Sequence, residues 1–378
     1  MCQAVARTAA IILALLGCAS GLAAQGPTRR QLPVPHLPGF VTLKGDFHLH
    51  SVFSDGQVWP AVHVQEAWRD GLDVISLTEH AEYHPWSADV RVDGRRSYDV
   101  ARPTAERLGI ILIPGVEITK DERSRPWPAG WKGSAHFNAL FVTDANALNH
   151  PELLEALRRA KAQGAYVFWN HPGFRAITPE WFPQIALAYD EKLFQGMELV
   201  NGPYFYPEAF PWVEERKLAI LCNSDAHLPT PPSDGRWVRP ITLLFARTAD
   251  AAGVRDALEA RRTAAWMGGE LWGAEDHLRG IWQGAVSNET SELTRGPSPY
   301  VLRLRNSSAI PFRARVLSAP AWFRMVDAIE VKPEATTALL PQISGNAAPG
   351  PFEVKLEITN LHVAPGRNLV VTLSLAFK

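Results

Sequence analysis

The stretch Gly45-Asp46-Phe47-His48-Leu49-His50-Ser51-Val52-Phe53-Ser54-Asp55-Gly56 follows an apolar run, Phe40 to Leu43, and reads as a buried strand entering a polar loop. Residues two apart in a strand point to the same side. His48 and His50 therefore present two imidazoles to one point, while Leu49 turns the other way into packing. Paired neutral imidazoles suit a borderline divalent ion such as zinc, manganese or iron. Asp55, at a Ser-Asp-Gly turn, can swing a carboxylate over the same rim. A lone His-x-His is short and reads equally well as two surface histidines. Polar groups recur, however, after other apolar runs: Thr78-Glu79-His80, Pro114-Gly115-Val116-Glu117, Trp169-Asn170-His171-Pro172-Gly173 and Asn223-Ser224-Asp225-Ala226-His227.

From Gly39 to about Gly273 strand-like and helix-like segments alternate. Strands are predicted at Asp73–Thr78, Ile110–Pro114, Ala165–Trp169, Gly196–Val200 and Leu218–Cys222. Helices are predicted around Ala61–Arg69, Ser97–Leu108, Pro151–Gln163 and Glu208–Arg216. Such alternation argues an α/β barrel or parallel sheet. In a barrel the C-terminal ends of the strands share one rim, which carries the chemistry. His48, His50, Asp55, His80, Glu117, His171, Asp225 and His227 then converge. His136 begins its strand, His136 to Val142, and no helical pattern separates it from Glu117. An antiparallel return would bring it to the same rim.

The chain has 378 residues, 46% hydrophobic and 20% charged, enough for one large core and a smaller one. In residues 1–24, Arg7 precedes an apolar core, Ala9 to Leu16, and then small residues, the layout of a secretory signal too short to span a bilayer. Leu15-Leu16-Gly17-Cys18 resembles a lipoprotein signal that would leave a lipidated Cys18, whereas cleavage near Ala23 would release a soluble protein. The expected location is periplasmic or secreted, or the outer membrane if lipidated, with no transmembrane span. The net charge is −1 and no block of basic residues stands out, which disfavours a long nucleic acid as partner. Beyond the leader only Cys222 remains, in an apolar run, so it reads as packing rather than part of a disulfide framework. After Gly273 helix patterns are absent. Tyr300–Asn306, Phe352–Ile358 and Leu369–Leu375 alternate apolar and polar residues, which predicts a small antiparallel β-sandwich over 274–378. His277 and His362 are its only histidines.

The ordered motifs His48-Leu49-His50, Ser54-Asp55-Gly56, Thr78-Glu79-His80, Gly115-Val116-Glu117, Asn170-His171-Pro172 and Ser224-Asp225-Ala226-His227 resemble those of the PHP (polymerase and histidinol phosphatase) superfamily. Val58-Trp59-Pro60, Glu66-Ala67-Trp68-Arg69, His136-Phe137-Asn138-Ala139 and Phe168 to Gly173 are further similar to the exported Sb-PDE-type phosphodiesterases. The resemblance implies a distorted (β/α)7 barrel over 25–273 and a metal-dependent phosphoester hydrolase. It implies three divalent ions (manganese, zinc or iron). His48, His50, Glu117 and Asp225 would hold the first, Glu117, His136 and His171 the second, and Asp55, His80 and His227 the third. A metal-bridging hydroxide would attack phosphorus, with Glu117, Asp225 and His227 the residues closest to the chemistry. Glu79 reads as an acid orienting a ligand histidine, and His63 as a residue on a solvated helix face; neither it nor His84 reads as a ligand.

Lys120, Tyr83 and Trp169 are the candidate substrate-binding residues, with Arg96 and Arg125 as further anchors for an anion. Trp59, Trp86, Trp127, Trp131, Tyr204 and Tyr206 read either as walls for an apolar ester arm or as packing. Aromatic and small residues around the motifs, with Lys120 and Arg175 the nearest cations, favour a small organic phosphate diester. A phosphomonoesterase on the same site, and a non-catalytic exported binding protein, are the alternatives. Because the sandwich holds no ligand cluster, residues from about 275 on are expected to be dispensable for the chemical step.

Overall fold

The computed structural model describes residues 28–120, 135–174, 180–232, 238–294, 296 and 299–378. The leader with Cys18 lies outside the described residues, as do Arg125, Trp127, Trp131 and Arg175. Among the described residues no helix is long and apolar enough to cross a membrane.

The first unit is built on strands β1 (Val41–Asp46), β2 (Val74–Leu77), β3 (Ile111–Lys120), β4 (Ala135–Leu140), β5 (Tyr166–Trp169), β6 (Gly196–Asn201), the short β7 (Tyr204–Phe205), β8 (Ala219–Asn223), β9 (Ile241–Ala246), β10 (Thr263–Met267) and β11 (Glu270–Gly273). Most are short, fully buried apolar runs, as expected of strands covered on both faces. Pairing is parallel from β1 through β2 to β3, antiparallel across β4, and parallel again from β5 through β6 to β8. Helices Pro60–Arg69, Arg96–Leu108, Leu153–Ala162, Pro183–Asp190, Ala209–Arg216 and Ala251–Glu259 accompany these strands. In the third of them Leu153, Ala156, Leu157 and Ala160 form the buried stripe, at helical spacing.

The ring is distorted where it closes. The edge of β1 that would meet β8 is paired antiparallel with β9, from Val41 opposite Ala246 to Gly45 opposite Thr242. Backbone pairing on the β8 side is a single parallel bridge just past the two strands, Leu49 to Ala226, at the rim, beside the Asn223 side chain that accepts the Phe47 amide. The Thr242 hydroxyl assists by bonding both the amide (2.8 Å) and the carbonyl (2.9 Å) of Cys222.

Two expectations need correction here. β3 does not end near Pro114: it pairs with β2 as far as Pro114 and then, from Gly115 to Lys120, forms a hairpin with β4. Glu117 therefore sits inside a strand, and His136 faces Thr119 across the hairpin. The region after Gly273 also opens with a helix, Glu275–Ala285, which buries Leu278, Ile281, Trp282 and Ala285.

Beyond that helix, Val286–Asn288, Leu302–Asn306 and Ala335–Leu339 form one antiparallel sheet. Phe312–Ser318, Ile329–Val331, Gly350–Ala364 and Arg367–Phe377 form a second. Strict alternation of buried and exposed residues in Leu302–Asn306 matches one face on the core and one in water. The second sheet is continuous with the barrel, because β11 pairs in parallel with Gly350–Ala364, Leu271 opposite Leu361 and Trp272 opposite His362. One apolar cluster accordingly contains Leu49, Leu77 and Trp266 together with Phe312, Leu356 and Leu373.

Candidate metal centre

His48 and His50 leave the end of β1 with Leu49 buried between them, and their Nε2 atoms lie 3.1 Å apart. Asp225 Oδ1 is 3.2 Å from each. Glu117 Oε2 is 3.2 Å from His50 Nε2, and its Oε1 is 3.6 Å from His48 Nε2. Four ligands at bond lengths of about 2.0–2.2 Å around a tetrahedral ion stand roughly 3.3–3.6 Å from one another, so this is close to the spacing of donors around a common point. On one side, His136 Nδ1 lies 3.0 Å and His171 Nε2 3.7 Å from Glu117 Oε1. On the other, Asp55 Oδ1 lies 3.1 Å from His227 Nε2 and 3.3 Å from His80 Nε2.

The structure thus brings His48, His50, Asp55, His80, Glu117, His136, His171, Asp225 and His227 into one cluster made of overlapping groups whose ligand atoms lie within 4.8 Å of each other. The donor set fits divalent cations. Asp55 Oδ1, Glu117 Oε2 and Asp225 Oδ1 are buried and accept no well-directed hydrogen bond, although imidazole nitrogens stand close to each. Nitrogen and oxygen lone pairs aimed at shared points cost energy unless a cation takes up the charge.

The charges are strongly coupled. Burial opposes a proton on His80, but Glu117 and Asp55 outweigh it and lift its pKa to about 10. His48 is raised in the same way, against burial, by Asp225, Glu198 and Glu117. His136 goes the other way, because burial prevails over Glu117 and lowers it to about 4. Burial works against ionised Glu117 and Asp225, yet the imidazoles around them hold both well below the usual carboxylate range.

Several side chains hold the ligands in place. Gly56 permits the turn that carries Asp55: a Cβ there would stand 2.2 Å from the His50 carbonyl oxygen. Asp225 and His171 both take positive φ, 52° and 25°, conformations that concentrate at functional sites. His63 is fully buried rather than solvated, with Nε2 2.9 Å from the His50 carbonyl oxygen and Nδ1 3.4 Å from Glu66. Glu79 touches no ligand histidine. Its carboxylate accepts from the Ser51 amide and hydroxyl and from the Ser54 hydroxyl, and Ser54 Oγ lies 3.3 Å from His50 Nδ1. Period-two alternation sends Glu79 and His80 to opposite sides, so the acid reaches a ligand histidine, His50, only through the Ser54 hydroxyl. His84 faces the carbonyls of Phe53 and Ala81.

The substrate-binding candidates fare differently. Tyr83 is half-exposed with its ring 6.1 Å from that of His80. Lys120 is buried and its ammonium is paired with Glu82, so it is not a free anchor. Trp169 is fully buried, stacked on Trp212 at 5.9 Å and edge-on to Trp181, away from the ligands. Trp86 bonds the Gly56 carbonyl at 3.0 Å, Trp59 packs on Phe53, and Arg96 is exposed on its helix. Cys222 is packed in the core, where burial pushes its thiol up.

Two further residues escape sequence reasoning. Phe174 lines a cavity of about 190 Å³ over the ligands, its ring 4.9 Å from that of His171. Glu198 is a fully buried carboxylate 2.9 Å from His48 Nδ1. Its one visible signal is a lone acid in an apolar strand.

Comparison with known proteins places these features. A family described as an Ig-like domain, DUF5001, matches residues 286–374. Over 123 residues the chain is 34% identical to a 5'-3' exoribonuclease of Haemophilus influenzae, covering 32% of this chain and 36% of that protein. The chain thus spans about a third of that relative's length. Over 206 residues it is 26% identical to an uncharacterized protein of Methanocaldococcus jannaschii, covering 53% of this chain and 89% of that one. A crystal structure from Bacteroides vulgatus, of a two-domain protein containing a predicted PHP-like metal-dependent phosphoesterase, is 38% identical with a TM-score of 0.83. The match covers 92% of this chain and 99% of that one. With that coverage and a ligand cluster of this composition, the chain belongs to the PHP-like metal-dependent phosphoesterases.

Proposed function

We propose that the protein is an exported phosphodiesterase that hydrolyses small organic phosphate diesters at this centre, with three divalent ions held as the resemblance implies. Bound there, the ions would activate water and neutralise charge on the phosphoryl oxygens. Glu117, in reach of five imidazoles, keeps the ligand groups at fixed separation. Asp225 ties His48 and His50 together, and His227, the most exposed of the ligand side chains, stands on the open side where an alcohol would leave. Phe174 and Tyr83 offer apolar surface for an ester arm.

The observation that carries the diester reading is the lining of the cavity. Among the described residues it contains no lysine or arginine, and the nearby Lys120 is spent on Glu82. A monoester dianion carries about one more charge than a diester near neutral pH, and a site selecting it gains from added cationic donors. The test is kcat/KM for bis-para-nitrophenyl phosphate against para-nitrophenyl phosphate with metal-loaded protein. A preference for the diester is expected, and a tenfold preference for the monoester would overturn it. The Haemophilus relative's name supports a second reading, a short nucleotide diester, which a dinucleotide substrate in the same assay would reveal. Export rests on the leader composition alone.

A further inference from the structure

Glu198 lies within β6, completely buried, in a strand whose other side chains are apolar but for Asn201. An isolated carboxylate at such depth is costly unless every lone pair is used. Here they are. Oε1 lies 2.9 Å from His48 Nδ1 and accepts from Asn223 Nδ2 at 2.9 Å. Oε2 accepts from Asn201 Nδ2 and from the backbone N–H of His171, each at 2.9 Å. Asn223 is anchored in turn, since its Oδ1 accepts the Phe47 amide immediately before His48.

Two of these contacts reach candidate ligands from different strands. The Oε1 contact requires the His48 proton on Nδ1, which leaves Nε2 as the lone-pair atom facing His50, Asp225 and Glu117. The Oε2 contact holds the peptide of His171 in its positive-φ conformation. His48 and His171, with Asp225, make up one of the candidate ligand groups. His50, Asp55, His80 and His227 make up another, and Glu198 bonds none of them.

We infer that Glu198 is a positioning residue that sets the tautomer of His48 and the backbone of His171, and so tunes cation affinity on the His48–His171–Asp225 side of the centre alone. The inference rests on His48 being a metal ligand. Replacement by glutamine is informative because it keeps the volume and cannot satisfy the site. An amide NH2 in place of Oε1 faces the His48 N–H and the Asn223 amide. In place of Oε2 it faces the His171 N–H and the Asn201 amide. Either orientation sets donor against donor and disturbs one ligand.

The experiment is a zinc titration against a competing chelator, run on the full chain as wild type, Glu198→Gln, Glu198→Asp and His48→Ala, with the Tm of each metal-free protein measured alongside. Glu198→Gln should weaken only part of the zinc complement, by about 10- to 100-fold, the range for partners that orient a ligand. Tighter-bound zinc should remain on the Asp55–His80–His227 side. Glu198→Asp should recover part of the loss, because charge and acceptors persist. Unchanged zinc affinity in Glu198→Gln, or uniform weakening of all sites together with a lower metal-free Tm, would overturn the inference. Unchanged affinity in His48→Ala would instead overturn the ligand reading beneath it. Should Glu198→Gln fail to fold, histidine 15N spectra of zinc-loaded wild type decide: a proton on His48 Nδ1 supports the inference, and one on Nε2 defeats it.

Discussion

Asp46 and Arg239 form a fully buried ion pair, Oδ2 to Nη2 at 2.8 Å, that fastens the end of β1 to the chain entering β9. The same carboxylate accepts the Ser224 amide (3.1 Å) and hydroxyl (2.6 Å), one residue before Asp225, and Arg239 continues to Asp70 at 3.1 Å. Removing one member of such a pair leaves an uncompensated buried charge, at about 3–5 kcal/mol. Arg239→Ala should lower stability by that order in urea unfolding. It should also weaken metal retention, because Asp46, whose carboxylate holds Ser224 beside Asp225, would be left without its cationic partner.

Chelation should abolish hydrolysis, and manganese, zinc or iron should restore it, because nine carboxylate and imidazole donors converge where cations would polarise a phosphate. Elemental analysis alongside the assay checks this. Full turnover by protein shown to be metal-free would defeat it.

Glu117→Gln should eliminate activity toward diester and monoester alike, by at least 10²-fold, since one neutral amide would replace the carboxylate in reach of five imidazoles. Lys120→Ala calls for a different expectation. With Lys120 gone, Glu82 is a partly buried acid without its ammonium partner, so the loss should fall on stability, by about 1–3 kcal/mol, more than on kcat. Thermal melts and kinetics on one preparation separate the two.

The centre should also couple pH to cations. In metal-free protein His80 has a raised pKa, so its contribution to folding is complete below about 6.5 and is lost as pH climbs toward about 10. Glu117 and Asp225 are held low, so theirs is present above the ordinary carboxylate range and is lost only in acid. Cations replace the imidazole protons and therefore bind more tightly as pH rises. The gap in Tm between metal-loaded and chelated protein should widen from about pH 6.5 to about pH 9. Calorimetry at matched ionic strength measures it, and a constant gap would contradict the coupling.

What was legible in the sequence follows a physical line. Ligands at strand exits announce themselves, because polar residues after apolar runs have few other reasons to be there; even His136 could be placed from the lack of a helix before it. Partners distant in sequence left no such trace. Glu82 meets Lys120 and Glu198 meets His48 only after folding. Adjacency misled at Trp169: it precedes Asn170-His171 yet packs on Trp181 and Trp212, and the positive φ of His171 breaks the alternation between them. The helix Glu275–Ala285 was hidden by the alternating pattern that follows it, although Leu278, Ile281, Trp282 and Ala285 have helical spacing.

The shared sheet alters what truncation can show. A chain ending at Gly273 keeps all nine candidate ligands but uncovers β11 and the apolar cluster it joins. It should be recovered mainly as aggregate, with size-exclusion chromatography as the check, so the chemical role of the C-terminal unit is better probed by substitutions within it. A soluble, monodisperse 25–273 protein would refute this.

The pairing of Leu271 with Leu361 also orders events in time. A chain emerging from its N-terminal end presents His227, the last candidate ligand, well before the strand that covers β11 has been made. During that interval the barrel displays an unpaired edge, a template for pairing with other copies, and non-local strand pairing of this kind is slow to form. The period of greatest aggregation risk thus comes after the metal centre can assemble, and a generous supply of cations would not shorten it.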